Sequence, residues 1–523
     1  MASGPATQGT ARGMDPRATA SAGEGQARVA RALDVLQGLG ASAMRAAPLV
    51  FGILAIALPL ILMPVTREQA NTAPGLYAVA VLIVVLAAVR LALLISDERP
   101  KLIAGTFWMF LYISAGVVPI AQLHTQVFGF LISTETLVSG GLMFLVAGLA
   151  FEAGHIASRR GGGDTEAVAT GPQRVLTRPR LIAVSLVTIA ASAVYVQTVG
   201  GVAVFFGSRA DYTEAISESG LRSESSQVVS ALLSAAAAAP ALVALLGWLI
   251  VVRDRENRLK SDFAWLAVIL AVNLVVNNPL PNARYWTLTV LVGLAYALPG
   301  MGRTRFTWAV VGGILGALVI FPYSDVTRYS EPGEAAAVEV VPISEKIASK
   351  DYDQVVMSAN GAAYVNTEGF TLGHQTGSAL LFWVPRSVWP AKGYDTGVML
   401  GEHFDGEITN LSSPLPLEIW IDYGWVGLAL GFVGIGFVAR RLEDRLDFNG
   451  PVGFGRTSFY ALLLPLVAGY SFILMRGPLL QAMGRGMALV LACWFATAAV
   501  DKVRERGVKG TRYVRPISSH ADA

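Results

Sequence analysis

Long apolar runs alternate along this chain with short charged punctuation. Their lengths suit the roughly 30 Å hydrocarbon core of a bilayer, which a helix crosses at about 1.5 Å per residue. The pattern predicts an all-α polytopic membrane protein of about twelve transmembrane helices. They fall near residues 46–65, 75–95, 102–123, 134–154, 181–199, 228–252, 263–277, 285–300, 307–322, 417–439, 457–475 and 486–500. The runs are continuously apolar, whereas the strands of a membrane barrel alternate, so they read as helices.

Charge then orients the chain. With residues 1–45 in the cytoplasm, the alternation of spans places 28 of the 40 Lys and Arg on the cytoplasmic side and 11 outside, with Arg90 inside the second run. Cytoplasmic enrichment of basic residues is the expected bias, so both ends are read as cytoplasmic. Residues 1–45 are polar, rich in Ala, Gly and Arg, and lack the apolar core of a secretory signal; they read as a disordered tail. Residues 501–523 read as a second tail. Nine helices occupy 46–322 and three occupy 417–500, separated by a large extracytoplasmic loop at 323–416. Within the loop, Ser378 to Pro385 is apolar but too short to span, and Trp383, Trp389, Trp420 and Trp425 bracket it. Interfacial tryptophans of this kind predict short helices resting at the outer membrane surface.

Composition narrows the function. Charged residues make up 15% of the chain, against about 25% in a soluble domain. The single Cys493 excludes disulfides and cysteine metal sites. No phosphate-binding loop or dinucleotide fingerprint is present, which argues against a nucleotide cofactor, and nothing suggests a nucleic-acid partner. Transporters mark their path with ionisable residues inside the spans. Here only Arg90 and Glu152 qualify, each near a cytoplasmic end where snorkelling accounts for it. Polar chemistry gathers instead on the outer face, as in an enzyme that acts on a lipid-linked substrate.

Five outer arginines, Arg209, Arg284, Arg328, Arg386 and Arg476, lie beside aromatic or apolar residues at predicted membrane edges. An outside arginine opposes the charge bias, and a guanidinium binds phosphate oxygens in a bidentate fork. A diphosphate at headgroup level is therefore the expected ligand; the alternatives are lipid phosphates or nearby acids such as Asp211. Arg209 precedes Gly220, and Arg386 precedes Gly397, by the same spacing. For a general base, Gly401-Glu402-His403-Phe404-Asp405 offers His403 and Glu402, since an imidazole titrates near neutral pH. Adjacent residues chelate one ion poorly, so no metal is expected.

The segment Phe382-Trp-Val-Pro-Arg386-Ser-Val-Trp-Pro390-Ala-Lys392 is similar to the PRxxWPxK stretch of bacterial Wzy-type O-antigen polymerases. Ser413 to Glu418, Asp422 to Gly427, Phe107 to Phe110 and Val118 to Gln122 also resemble that family. The resemblance implies a GT-C-like membrane glycosyltransferase that joins undecaprenyl-diphosphate-linked repeat units outside the membrane, without metal or other cofactor. It implies a lipid-linked oligosaccharide and membrane lipid as ligands, and a chain-length regulator and a flippase as partners. Arg209 and Arg386 match the Arg-x10-Gly arginines, and Arg386 with Lys392 matches PRxxWPxK; the choice of His403 or Glu402 rests on chemistry alone. Competing expectations are an O-antigen ligase or other polyprenyl-lipid-dependent glycosyltransferase, and a polysaccharide or lipid transporter. Only Pro240 and Gly312-Gly313 resemble a transporter's broken helices.

The charge split yields a direct expectation. With Cys493 replaced, a cysteine at Ser349 reacts with an impermeant maleimide in intact cells and one at Gly161 does not. The reverse labelling overturns the orientation.

Overall fold

A computed structural model describes residues 63–97, 99–160, 173–219, 227–297, 303–320, 342–348, 352–404, 411–446 and 453–500. Nearly all of the predicted 46–65 span, both tails, Arg328, Asp405 and Gly220 lie outside these residues. The chain folds mostly into helices: α1 (Arg67–Thr72), α2 (Pro74–Ser96), α3 (Leu102–Thr125, with a π turn at Tyr112–Val117), α4 (Leu137–Arg160), α5 (Arg178–Val199), α6 (Arg209–Glu218), α7 (Gln227–Val251), α8 (Lys260–Val276), α9 (Arg284–Ala297), α10 (Arg303–Leu315), α11 (Ile343–Ile347), α12 (Gln354–Glu368), α13 (His374–Leu380), α14 (Thr396–His403), α15 (Leu415–Glu443), α16 (Phe459–Arg476) and α17 (Leu479–Ala496). Among the described residues eight helices are long and apolar enough to cross a membrane: α2, α3, α4, α5, α7, α15, α16 and α17. The protein is a helical membrane protein. Helices α8, α9 and α10 occupy three further predicted spans but are shorter, so length alone does not make them crossings.

Two expectations need correction. The last span begins at Leu479, not 486, because Gln481 and Arg485 are drawn into the helix, and it ends at Ala496. Residues 497–500 instead form β2 (Thr497–Val500), antiparallel to β1 (Gln173–Leu176), with Gln173 opposite Val500. The loop helix α12 also departs from an interfacial role: its first nine residues, Gln354 to Ala362, are all buried, and it packs against α4.

The helices form two large cores and a small third one around Tyr195, Phe205 and Ala241. One large core gathers α2, α3, α4, α12 and α15; the other gathers α5, α7, α8, α9, α16 and α17. Helix α16 touches both, packing on α9 and on α3. Glycine permits the closest approach in the first core. A Cβ on Gly154 of α4 would meet the Val433 carbonyl oxygen at 1.9 Å, and one on Gly436 of α15 would meet that of Phe151 at 2.0 Å. Small residues let membrane helices bring their backbones together in this way.

Polar groups inside the bundle find partners inside it. Arg90 on α2 pairs with Glu152 on α4 at 2.7 Å, so these side chains satisfy one another rather than snorkelling. The first amides of α3 lack a local cap; Glu443 of α15 accepts from Ile103 N at 2.7 Å and Ala104 N at 3.0 Å. Arg178 holds Asp262 by a two-pronged contact and lies over Phe454 at 4.5 Å. These contacts, with β1–β2, mark one end of the bundle, termed the tail end; residues 352–404 and 411–414 lie at the other, the loop end. Helix α15 is interrupted at the loop end by Gly424, whose φ of 65° places it in the left-handed region.

Asp262 is fully buried, so its counterion is indispensable. Arg178→Ala leaves an uncompensated carboxylate and is expected to cost about 3 kcal/mol. Thermal unfolding in detergent checks this: the midpoint falls in Arg178→Ala and partly recovers when Asp262→Asn is added. Equal midpoints in wild type and Arg178→Ala refute it.

Candidate functional site

The loop end of the second core is organised by asparagines. Asn273 and Asn277 stand one turn apart on α8, hence on one face. Asn273 donates to the carbonyls of Ala241 (2.9 Å) and Ile269 (2.8 Å). Asn277 donates to the carbonyl of Ala238 (3.1 Å) and to the Asn273 side chain (2.7 Å). Ala238 and Ala241 flank Pro240 in α7, where the ring removes one helical donor. The remaining oxygen of Asn277 accepts from the indole of Trp286 at 2.8 Å. Asn282 secures the preceding turn by donating to the carbonyls of Val276 and Asn278. The chain from Pro281 to Trp286 is thus fixed where α9 begins.

Three arginines approach that segment, which itself carries a fourth, Arg284. Arg209 opens α6 and donates to the Pro281 carbonyl at 3.3 Å. Arg284 is the first residue of α9. Arg476, the last residue of α16, lies over the Tyr285 ring at 4.4 Å. Arg485, in the second turn of α17, lies over Trp286 at 5.3 Å and donates to the Ser234 hydroxyl at 2.9 Å. The nearby acid Asp211 is committed to the capping box of α6, accepting from Ser208 N at 2.9 Å. Among the described residues neither Arg209 nor Arg485 forms an ion pair. Both lie close enough to act on the Tyr212 phenol, which meets the Tyr195 hydroxyl at 2.5 Å. Burial and then Tyr195 push the Tyr212 pKa up; the two guanidiniums pull it down, and burial prevails. A guanidinium presents its N–H groups as a fork that matches two oxygens of one phosphate group, so a diphosphate suits such a site.

The PRxxWPxK segment takes a different part. Arg386 donates to the Lys392 carbonyl and, at 2.9 Å, to that of Gly393, and its guanidinium lies over Tyr394 at 3.8 Å. Lys392 in turn donates to the carbonyls of Phe382 (2.8 Å) and Val384 (2.9 Å). Each cation fastens the stretch of backbone that carries the other. Burial, and then the charge of Arg386, lower the Lys392 pKa, while Asp395 opposes them. Gly397 is a packing requirement: a Cβ there would meet the Leu411 carbonyl oxygen at 2.2 Å.

The closed loop docks on α17. Phe382 lies against Gly484, and Asp395 accepts from Gln481 at 2.6 Å. Behind it are two buried acids of α15. Glu418 accepts from Thr396 (2.8 Å) and from Leu479 N (3.3 Å). Asp422 accepts from Thr371 and from the amides of Gln375 (3.2 Å) and Thr376 (2.6 Å). His403 sits at the far end of α14, between Tyr364 and Phe404, with Glu368 at 4.0 Å; Glu402 is exposed beside it.

Of the residues singled out in the sequence, Arg209, Arg284 and Arg476 come together. Arg386 and Lys392 form the neighbouring loop, and His403 and Glu402 lie apart from both. Arg485 was missed because the span was drawn from residue 486; Gly484-Arg485-Gly486 inside an apolar stretch was the available signal. The i, i+4 spacing of Asn273 and Asn277 was legible as well.

The loop geometry sets an expectation for Arg386→Lys. An ammonium cannot reach both carbonyls while covering Tyr394. The variant is expected to be cut faster by protease between 382 and 395 in the absence of any substrate. Unchanged cleavage combined with lost turnover would mean that Arg386 contacts ligand instead.

No family model, curated protein or solved structure matches this chain, so the functional reading rests on the chemistry of the site.

Proposed function

We propose that the chain is a GT-C-like integral-membrane glycosyltransferase of the O-antigen polymerase type. It joins undecaprenyl-diphosphate-linked oligosaccharide units on the extracytoplasmic face of the inner membrane. The observation that carries this reading is the approach of Arg209, Arg476 and Arg485 to residues 281–286, which themselves carry Arg284, at the same end of the bundle as the PRxxWPxK loop.

The chemistry follows from charge. When the anomeric C–O bond of the donor breaks, negative charge grows on the departing diphosphate. Guanidiniums held in place beforehand bind that state better than the ground state, which is the condition for acceleration. Their surroundings strengthen the effect: Trp286 is fully buried and Tyr285 half-buried, so the local dielectric lies below that of water. The exposed apolar side chains of the loop, among them Leu372 at 85% and Val388 at 74%, suit residence in the interface beside a polyprenyl tail. A ligase would use the same donor and the same arginines, and differs in its acceptor.

Two measurements test the reading. In nanodiscs with a synthetic polyprenyl-diphosphate oligosaccharide, Arg485→Ala is expected to lower polymerisation by about 10²-fold or more, with protein abundance unchanged. Wild-type rates in both Arg485→Ala and Arg209→Ala would remove the arginine site from the mechanism. Deletion in the native host should leave single-repeat products; unattached long chains would identify a ligase.

A further inference from the structure

Asp395 occupies the N-cap position of α14, where an aspartate ordinarily accepts from the first helical amides. Its side chain makes no such bond. It turns toward α17, and Oδ2 accepts from Gln481 at 2.6 Å. The other oxygen, Oδ1, is buried and has no hydrogen-bond partner among the described residues. A buried acceptor left empty is costly, and a hydroxyl donor would relieve that cost.

Its neighbours place this oxygen beside the arginine site. Gln481 and Arg485 are four residues apart on α17 and share one face. The residue that holds the carboxylate, Gln481, and the residue whose guanidinium lies over Trp286, Arg485, are therefore one helical turn apart along α17. Glu418 and Asp422, the other buried acids nearby, already accept from protein donors through both oxygens. His403 and Glu402 lie at the opposite end of α14, an eight-residue helix about 12 Å long.

We propose that Asp395 is the general base of the transfer reaction, a catalytic residue contacting the acceptor hydroxyl. The inference rests on the glycosyltransferase reading of the arginine site and adds the acceptor side to it. The hydroxyl oxygen of the acceptor sugar attacks the anomeric carbon of the donor. The bond from that carbon to the diphosphate oxygen breaks, and its electron pair leaves with the lipid diphosphate. The hydroxyl proton passes to Asp395 Oδ1 and is later released to water. Tyr394 and Gln481 flank the carboxylate and are exposed, so side-chain rotation opens it to the acceptor while the backbone stays in place.

The groups facing Asp395 set its titration: Arg386 and Lys392 from the loop, Gln481 from α17, and Glu418 from α15 through Thr396. Burial raises the Asp395 pKa, while the Gln481 hydrogen bond and the charges of Arg386 and Lys392 lower it, and burial prevails. A base must be ionised, so turnover is lost as pH falls through this raised value. The acid limb of the rate profile is then displaced upward from where an ordinary aspartate would put it.

The test uses the full chain in nanodiscs with a synthetic polyprenyl-diphosphate oligosaccharide, following its binding by tryptophan fluorescence and its polymerisation by gel. Asp395→Asn is expected to bind the lipid as wild type does and to polymerise at least about 10²-fold more slowly. Asp395→Glu is expected to retain partial turnover with a displaced acid limb. Turnover near wild type in Asp395→Asn, while Arg485→Ala is inactive, overturns the assignment and leaves the glycosyltransferase reading standing. Failure of the wild-type protein to bind or polymerise the lipid overturns both. Unfolding midpoints of the two Asp395 variants that match wild type exclude a folding defect, and loss of turnover with a shifted midpoint in both would assign Asp395 a structural role instead.

Discussion

A polar side chain inside a membrane protein has no water to turn to, and the carboxamide of Asn277 shows what that constraint produces. One side chain donates to α7, joins its neighbour on α8, and accepts from Trp286 of α9. Three helices are registered by a single amide. Everything at the loop end of the second core follows from it: the indole is held, the turn before it is tied by Asn282, and the guanidinium of Arg485 has a fixed aromatic floor. Replacing the amide with an apolar group of similar size would keep the volume and lose the registration.

The same constraint explains how four like charges can share a neighbourhood. Repulsion among guanidiniums grows as the dielectric falls. For Arg209 and Arg485 the fold answers, among the described residues, with a carbonyl, a ring face and a hydroxyl rather than carboxylates: Pro281 for Arg209, Trp286 and Ser234 for Arg485. A ring face contributes roughly 0.5–2 kcal/mol and leaves the charge in place. A carboxylate would neutralise it. An anionic ligand therefore meets, in Arg209 and Arg485, two guanidiniums whose charge no described carboxylate cancels.

Helices were the legible part of the sequence, because continuous apolar runs have one structural solution in lipid. Seven of the eight helices long enough to cross agree with the runs, and the misplaced start of the eighth, α17, has a clear cause: Gln481 and Arg485 have tertiary partners that draw them into the helix. Strand β2 was hidden for a related reason, since Thr497 to Val500 is as apolar as a helix end and only its pairing with Gln173 to Leu176 reveals it. For the site, the arginines could be nominated from their aromatic neighbours and their unfavourable side of the charge balance. Which of them meet could not, because Arg209, Arg284, Arg476 and Arg485 are joined by packing across hundreds of residues. Arg386 shows the opposite limit: its setting between two prolines marked a stiff loop, but not that the guanidinium would be spent on the loop's own carbonyls.

The β1–β2 pair has a consequence for biosynthesis. Its first strand precedes α5 and its second follows α17, so the ribosome delivers the two partners on either side of the whole second core. Every intervening helix must already be in the bilayer before the hydrogen bonds between Gln173 and Val500 can form. Until then the start of α5 is held by its own turn and by Arg178, and helices of the second core can still exchange neighbours. Closing the ribbon ends that interval, and a chain arrested before residue 497 would present to quality-control proteases an inserted bundle lacking its clasp.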